Sequence, residues 1–377
     1  MKVLHVSASI FSPLDEEMHH SKKIWLELAK GADEYHVFAR NKTMAFSNTT
    51  EGNLHLHLLP RFGKKEFYFL PLSFLLPLYI WLIRPTHVVA QCPVLGGLVA
   101  AIFNKIFNYG LFIEIHGEHY FLPVKPGFFG KMHHTFFKKF SKFSLNRANK
   151  IRSLSSSMSE KLTDTFGVSI SSKIKVIPNR VDLDIFNTVK SEYEIGTALN
   201  VISVGRFSKL KNHSNLIKDL YASGIKFHLT IVGSGDLKSE FYELVESLGS
   251  SNDLTVLENI PHSELSKILP LNDVYIHYST SEGVPRAILE AMACGLPVIS
   301  TNVGYIDDLL QHQVNSMVID LPYKESLIDS LSILIDSAEQ RKKIGRNARL
   351  TIEKNYEWNL VFDLYREEIK NCKVGVN

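Results

Sequence analysis

The chain of 377 residues contains only three cysteines, Cys92, Cys294 and Cys372. They are odd in number, far apart and without the spacing of metal ligands, which excludes a disulfide framework and a cysteine zinc site. We therefore expect reduced thiols, as in a cytoplasmic protein. Internal repeats and low-complexity tracts are also missing from the sequence.

Long uninterrupted hydrophobic runs are absent as well. The longest apolar stretch, Phe67 to Ile83, is near the lower length limit of a membrane span, but Pro71 and Pro77 interrupt it. The first ten residues carry one lysine and a very short apolar run, which favours a buried strand over a signal peptide. We expect neither a transmembrane helix nor secretion.

The composition that remains is that of a globular protein, with 45% hydrophobic and 21% charged residues. At about 150 residues per domain, the length suggests two domains. The net charge of +3 is unevenly distributed. Residues 1–197 carry 24 Lys and Arg against 16 Asp and Glu, whereas residues 198–356 carry 15 against 19. The basic half is expected to meet something anionic.

Short apolar runs alternate with amphipathic stretches along the chain, which predicts βα units and parallel sheets covered by helices. In the first half, strands are expected at Lys2–Val6, Glu34–Ala39, Leu54–Leu59, His87–Gln91, Leu111–Ile115, Ile151–Leu154 and Lys175–Ile177. In the second half, they are expected at Asn200–Val204, Phe227–Val232, Leu254–Leu257, Val274–Tyr278, Pro297–Ser300 and Ser316–Ile319. This pattern predicts an α/β protein with two doubly wound, Rossmann-like domains that face each other across a cleft.

The boundary between the two domains is expected in a polar stretch without clear periodicity, Asn179 to Leu199. It separates a first domain at residues 1–190 from a second at residues 198–355. Beyond it, Tyr356 to Cys372 has the periodicity of an amphipathic helix. We expect residues 356–377 to pack back on the first domain.

The most informative segment runs from Ser281 to Val298 and contains two glutamates eight residues apart. Pro285 suits the start of a helix and Gly295 its end, so Glu282 is expected in a strand-to-helix loop and Glu290 inside a short apolar helix. A buried carboxylate without partners is costly, so either a ribose diol or a core cation must pair with Glu290.

Glu282 and the free backbone amides of Gly283 and Val284, at the helix N-terminus, could hold a sugar and a phosphate. The alternative is an exposed, solvated Glu282. The position of this loop at the end of the preceding strand leaves both interpretations open.

Two cations follow the first strand of the second half. Arg206 leaves the carboxyl end of that strand and Lys211 comes five residues later, so both can neutralise a diphosphate, with Lys209 facing solvent. Solvated surface charges are the alternative. Gly233, in the turn after the next strand, suits either close approach to a nucleotide or a plain turn.

In the first half, His116 stands where a buried strand ends, and Gly117 follows it. A hydrogen-bonded structural histidine and a catalytic one are both compatible with this position. The glycine would permit a ligand to approach the backbone closely.

Together these segments resemble the GT-B glycosyltransferases of the retaining family 4. The resemblance covers nearly the whole chain and includes KVLHVSASIFSP, IHGE, VIPNRVD, VGRFSKLKN, IVGSGD and SEGVPRAILEAMACGLPV. It implies an acceptor-binding first domain and a second domain that binds a nucleotide-diphosphate sugar. By this resemblance, Glu282 contacts the donor sugar, Glu290 the ribose hydroxyls, Arg206 and Lys211 the leaving diphosphate, and His116 lies near the anomeric carbon and the acceptor.

The sequence departs from the family pattern at four places. The stretch Asp15 to Met18 carries acids where the family has a glycine pair that approaches the diphosphate. Arg180 follows Asn179 where a glycine is usual, Ser316 also replaces a glycine, and Asp308 replaces a glutamate.

A basic and aromatic segment suggests the acceptor. Residues Lys125 to Arg152 include eight Lys or Arg, six phenylalanines and no Asp or Glu. Such a segment can lie on an anionic membrane, or it can be a solvated helix whose phenylalanines are core. Nucleic acid is not expected, since no recognition module is present. The membrane interpretation predicts a glycan or lipid-linked acceptor in bacterial surface polysaccharide synthesis, at the inner face of the cell membrane.

The expected reaction is sugar transfer by a hexosyltransferase, with retention implied by the resemblance alone. Because Arg206 and Lys211 can oppose the charge of the diphosphate, no metal cofactor is expected, and the nucleotide sugar is a co-substrate. Two rival functions remain. One is a nucleotide-sugar epimerase or hydrolase on the same fold, and the other is a non-catalytic sugar-nucleotide-binding subunit of a glycan-assembly complex.

Overall fold

The structure is a computed structural model that describes residues 1–11, 20–60, 69–116, 128–249 and 253–372. The chain forms two compact units. The first contains Met1–Ile177 together with the chain from Phe362, and the second contains Pro178–Val361.

The first unit is built on an eight-stranded sheet. Its strands are β1 (Lys2–Phe11), β2 (Glu34–Asn41), β3 (Ser47–Glu51), β4 (Leu54–Leu59), β5 (His87–Ala90), β6 (Gly110–Glu114), β7 (Lys150–Ser153) and β8 (Ile174–Val176). The order is β3-β4-β2-β1-β5-β6-β7-β8, and all neighbours are parallel except the antiparallel pair β3 and β4. The seven strands expected here are present. β3 was not predicted, because its residues are polar and show no apolar alternation.

Helices connect these parallel strands. They are α1 (His20–Ala29), α2 (Phe69–Ile83), α3 (Gly97–Phe107), α4 (Phe128–Arg147) and α5 (Ser156–Phe166). α3 packs against both α2 and α4, so these three helices form one layer. Among the described residues, no helix combines the length and the hydropathy needed to span a membrane.

The second unit is built on a six-stranded parallel sheet of order β11-β10-β9-β12-β13-β14. Its strands are β9 (Leu199–Val204), β10 (Phe227–Val232), β11 (Leu254–Leu257), β12 (Val274–His277), β13 (Val298–Thr301) and β14 (Met317–Ile319). Its helices are α6 (His213–Ala222), α7 (Lys238–Ser247), α8 (His262–Ile268), α9 (Arg286–Ala293), α10 (Tyr323–Asp336) and α11 (Ala338–Asn355). All six expected strands are present.

Two apolar clusters cover this second sheet. Neighbouring strand residues alternate between them: Ile202 and Tyr275 belong to one cluster, and Val201 and Ile276 belong to the other. Because successive strand residues point to opposite faces, the clusters lie on the two sides of the sheet. The prediction of two doubly wound α/β domains is therefore confirmed.

The stretch expected to be a linker belongs to the second unit instead. Tyr193 donates a hydrogen bond to the carbonyl of Gly295 at 2.9 Å, and Arg341 donates from Nε to the carbonyl of Tyr193 at 2.8 Å. These polar contacts hold an irregular segment that has no periodicity for the sequence to reveal. The last helix, α12 (Trp358–Lys370), crosses the division, and its residues from Phe362 onward pack in the first unit.

Candidate active site

Three expected site residues lie where two neighbouring strands of the second sheet end. Arg206 and Lys211 follow β9, and Glu282 follows β12. These strands are paired, and the strand order reverses between them. In open parallel sheets, ligands bind in the crevice at such a reversal. The fold thus brings two cations and a carboxylate to the edge where a ligand is expected.

Lys211 and Glu282 form an ion pair. Nζ of Lys211 lies 2.5 Å from Oε1 of Glu282, and Oγ of Ser279 donates to the same oxygen at 2.7 Å. The side chain of Lys211 passes over Gly205, where a Cβ atom would come within 3.0 Å of it. The two charged side chains are only 23% and 14% exposed. Neither is therefore a freely solvated surface charge.

His277, at the end of β12, is a site residue that the sequence analysis missed. Its Nε2 lies 3.2 Å from Oε1 of Glu282, outside hydrogen-bond geometry, and the hydroxyl of Tyr275 is 3.4 Å from its Nδ1. Burial lowers the pKa of His277. Burial alone would raise the pKa of Glu282, but His277 and Lys211 outweigh it and lower this pKa to about 2. Glu282 is thus a carboxylate at neutral pH.

Glu290 has no close partner in the part of the chain that the structure describes. It is buried in α9, and the nearest basic side chain is that of His262, whose Nε2 is 3.9 Å from Oε1. No hydrogen bond from the described residues reaches its carboxylate, and burial raises its pKa. A buried carboxylate is normally satisfied by hydrogen bonds. Among the described residues, the core-cation alternative is thus represented by this distant histidine and by Arg286, which acts on Glu290 electrostatically without an ion pair or a hydrogen bond.

Arg206 is exposed, and within the described ranges it makes neither an ion pair nor a hydrogen bond. Lys209, in the same loop, is also exposed, as expected. The backbone amides of Gly283 and Val284 precede α9 and donate to no described residue, while Asn179 holds the carbonyl of Val284 at 2.8 Å. A free guanidinium and two free amides form a set of donors suited to phosphate.

Gly233 follows β10 and lies against the backbone of the β9 loop. A Cβ atom at this position would lie 2.0 Å from the carbonyl oxygen of Gly205. The missing side chain therefore lets the two loops approach each other. This contact is compatible with both uses that the sequence left open.

His116 belongs to the first unit, two residues after the end of the buried strand β6. Its Nε2 lies 2.5 Å from Oε2 of Glu114, and its side chain is 40% exposed. The sequence analysis did not single out Glu114. Its position two residues before His116 in an extended segment was the available signal, because such residues point to the same face.

Some expectations fall outside the described residues. These are Gly117, the glycine-free stretch Asp15 to Met18, residues 67–68 and residues 125–127. Within the described part of the chain, no group of three His, Cys, Asp or Glu side chains is arranged to hold a metal ion.

Helix α4 contains much of the basic and aromatic segment. Phe136, Phe140 and Phe143 are 51%, 39% and 39% exposed, and Lys138, Lys139 and Lys142 are exposed beside them. On α2 of the same layer, Phe74, Trp81 and Leu82 are also exposed. The alternative in which the phenylalanines are core is therefore wrong for Phe136, Phe140 and Phe143.

Two models of known protein families match successive parts of the chain. The family model "Glycosyltransferase Family 4" matches residues 24–185, and the model "Glycosyl transferases group 1" matches residues 187–351. A D-inositol 3-phosphate glycosyltransferase of Paenarthrobacter aurescens is 26% identical over 235 residues, which are 57% of this chain and 56% of that protein. Spore coat protein SA of Bacillus subtilis is 24% identical over 216 residues, which are 51% of this chain and 57% of that protein. The chain thus spans a little over half the length of these curated relatives.

Solved structures resemble the chain over almost its whole length. Sucrose-phosphate synthase from Thermosynechococcus elongatus has a TM-score of 0.79 at 16% identity, covering 98% of this chain and 99% of that one. HepE from Anabaena in complex with UDP has a TM-score of 0.76 at 17% identity, covering 98% of this chain and 100% of that one. At such identities the likeness concerns the fold. The solved structures and this chain share the GT-B fold. The two family models show that the chain belongs to the glycosyltransferases of family 4 and group 1.

Proposed function

We propose that this protein transfers a sugar, as a hexosyltransferase, from a nucleoside-diphosphate donor to a glycan or lipid-linked acceptor. The observation that carries the proposal is that one cation and one buried carboxylate of the second unit lack hydrogen-bond partners among the described residues. Arg206 is a cation without a described partner, and Glu290 is a buried carboxylate without a described hydrogen-bond donor. A nucleotide sugar supplies the anionic diphosphate and the ribose diol that would satisfy both.

The diphosphate is proposed to bind between Arg206, Lys211 and the amides of Gly283 and Val284. Cleavage of the bond between sugar and phosphate develops positive charge at the anomeric carbon and negative charge on the leaving phosphate. Fixed cations favour that transition state over the bound substrate, because the charge on the leaving oxygen grows as the bond breaks. Lys211 must turn from Glu282 toward the phosphate for this purpose.

Glu282 is proposed to contact the donor sugar once Lys211 has turned away. Its low pKa keeps it ionised, so it can accept hydrogen bonds from sugar hydroxyls and oppose positive charge at the anomeric carbon. His116 is proposed to act near the acceptor. The retaining outcome is proposed from membership of family 4.

A divalent metal is not part of the proposal. Arg206 and Lys211 carry the two positive charges that a metal would otherwise supply at the diphosphate, and neither depends on an added ion. For the donor, UDP-sugars are the first candidates, since HepE, a structural neighbour, is seen with UDP and with UDP-glucose.

The acceptor is proposed to be membrane-borne, as in bacterial surface polysaccharide or lipopolysaccharide synthesis. The exposed lysines of α4 can attract anionic lipid, and the exposed aromatic side chains of α2 and α4 can enter the interface between water and lipid. Both helices belong to the layer that α3 connects. The protein would then lie on the inner face of the cell membrane, bound peripherally.

A screen of UDP- and GDP-sugars tests the proposal. The expected result is binding of one nucleotide sugar in the micromolar range by calorimetry and slow release of the nucleoside diphosphate, accelerated by the correct acceptor. Donor turnover without any acceptor-dependent product would favour the hydrolase or epimerase. Binding without turnover under any condition would favour the non-catalytic subunit, and no binding would refute the proposal.

A further inference from the structure

The carboxylate of Glu114 is the centre of a buried polar cluster in the first unit. Glu114 ends β6 and is 1% exposed. The cluster brings together side chains from four other places in the chain: His5 on β1, His116 after β6, Arg152 on β7 and Tyr365 on α12.

Each oxygen of this carboxylate has its own partners. Oε2 lies 2.5 Å from Nε2 of His116 and 3.2 Å from a terminal nitrogen of Arg152. Oε1 accepts a short hydrogen bond from the hydroxyl of Tyr365 and lies 3.9 Å from Nε2 of His5. Burial would raise the pKa of Glu114, but His116, Arg152 and His5 outweigh it and hold this pKa well below its usual range. The Glu114 side chain is therefore an anion that is held in place by partners on several sides.

Four of the five members of the cluster are buried, whereas His116 is 40% exposed. Its ring thus has one nitrogen against a fixed carboxylate, while part of the ring reaches solvent at the carboxyl end of the sheet. A carboxylate can only accept a hydrogen bond, so of the two neutral ring forms it selects the one that carries the proton on Nε2. The other nitrogen, Nδ1, then keeps its lone pair.

We propose that Glu114 is the positioning residue of His116: it holds the Nε2–H tautomer and presents Nδ1 as a hydrogen-bond acceptor for a substrate hydroxyl. The inference deepens the proposed function and rests on it. Glu114 does not itself touch substrate. It acts by fixing both the tautomer and the orientation of the one ring in the cluster that a ligand can reach.

A purely structural role for Glu114 makes a different prediction. Arg152 is 1% exposed and also donates from Nε to the carbonyl of Ile177 at 2.9 Å, so Glu114 could serve only as its counter-ion. In that case the loss of Glu114 would weaken the fold and lower activity whether or not His116 is present. Under the positioning role, the loss matters only while His116 is present.

The test is a double-mutant cycle on the intact protein. Glu114→Gln, His116→Ala and the double variant are compared for release of UDP from UDP-glucose, or from the nucleotide sugar that the donor screen identifies, in the presence of acceptor. Glu114→Gln should lower kcat by about a hundredfold, as misplacement of a reacting group by about 1 Å can do, with little change in the KM for donor. The double variant should be no slower than His116→Ala.

Glu368→Gln is the matched control, because it removes another carboxylate that pairs with a cation in the same unit, Lys150, at 2.9 Å. It should leave kcat unchanged. Losses that add in the double variant, or normal kcat in Glu114→Gln, would overturn the positioning role. Full activity in His116→Ala would overturn it too, while the proposed function would stand if Lys211→Ala is still inactive.

Nitrogen NMR of the histidine rings gives a second measurement that needs no variant of Glu114 and no substrate. His116 is assigned by its absence in His116→Ala. In the parent protein, at a pH where the ring is neutral, its Nε2 should carry the proton and its Nδ1 should have the shift of an unprotonated ring nitrogen. A neutral ring protonated on Nδ1 would refute the inference.

Discussion

Nζ of Lys211 and Oε1 of Glu282 are 2.5 Å apart, so one of the two cations at the sheet edge is already paired with a carboxylate. Arg206, in the same loop, has no such partner among the described residues. A diphosphate can therefore meet Arg206 directly but must compete with Glu282 for Lys211. The two cations should therefore differ in how they contribute to donor binding.

Removal of the donor contacts should nearly abolish transfer. Arg206→Ala, Lys211→Ala and Glu290→Gln should each lower kcat/KM by about a hundredfold, or about 3 kcal/mol, because each removes one contact at a developing charge or at the ribose. Thermal unfolding should be little changed. Lys209→Ala is the matched control, since Lys209 is an exposed cation of the same loop. Full activity in Lys211→Ala would be incompatible with the assignment.

Glu282→Gln should separate donor binding from transfer. The neutral amide no longer holds Lys211, so the cation is free for the diphosphate and the Kd for UDP should fall several-fold in calorimetry. Transfer should nevertheless be lost, because the charge opposite the anomeric carbon is gone. Glu258→Gln breaks the pair with Lys238 elsewhere in the unit and should change neither quantity. Weaker UDP binding in Glu282→Gln would contradict the competition between carboxylate and phosphate.

Transfer should not require a divalent ion, because Arg206 and Lys211 already oppose the charge of the diphosphate. Activity is measured after dialysis against a chelator and again with added magnesium or manganese. The rate should be the same within about twofold, because the proposed transition state contains no contact to a metal ion that a chelator could remove. A complete loss in chelator that either ion restores would show that the two cations do not have the proposed role.

The protein should bind anionic vesicles reversibly and neutral vesicles weakly. Each basic residue near the membrane surface contributes about 1 kcal/mol to the binding free energy, and salt screens this electrostatic part. The aromatic side chains contribute an apolar part of the binding free energy that does not depend on salt. The triple variant Lys138→Glu, Lys139→Glu and Lys142→Glu should co-sediment much less. A variant with the same charge change on α11, Lys342→Glu, Lys343→Glu and Arg346→Glu, should bind as the parent does. Equal binding by both variants would remove the main support for a membrane-borne acceptor.

Acid should destabilise the first unit through His57, whose ring lies beside those of His36 and His55. Nε2 of His57 is 3.1 Å from Nδ1 of His36, and the rings of His36 and His55 stack at 4.5 Å. Burial, followed by His36 and His55, lowers the pKa of His57 from 6.5 to about 4. The unfolded chain therefore binds this proton first, and stability falls as the pH drops from 6.5 towards 4.

The variant His57→Gln isolates this contribution, because glutamine cannot be protonated in this range. Between pH 6.5 and 4, the free energy of unfolding of the variant should fall by about 2 kcal/mol less than that of the parent. This value allows for solvent screening, because the ring is only partly buried. Denaturant unfolding at several pH values measures the difference. Parallel curves for the two proteins would contradict the role of His57.

The sequence by itself determined most of the secondary structure and singled out the residues proposed to bind the donor. Short apolar runs predict thirteen of the strands, whereas β3 was not predicted because its residues are polar. Arg206, Lys211 and Glu282 were singled out because each follows a predicted strand, and Glu290 because it is a carboxylate inside a short apolar helix. Such patterns are local, since hydrophobic period and helix ends are read within a few residues.

Only the tertiary structure decided which of these groups meet. The pair Lys211 and Glu282 spans 71 residues of chain, and Tyr365 reaches Glu114 across 251. His277 and Glu114 lie on strands that read as ordinary buried β-structure, and their charged neighbours arrive from other strands and from α12. Strand order and helix packing decide these contacts. Buried polar groups need hydrogen-bond partners, and those partners come from whichever strands and helices lie next to them in the fold.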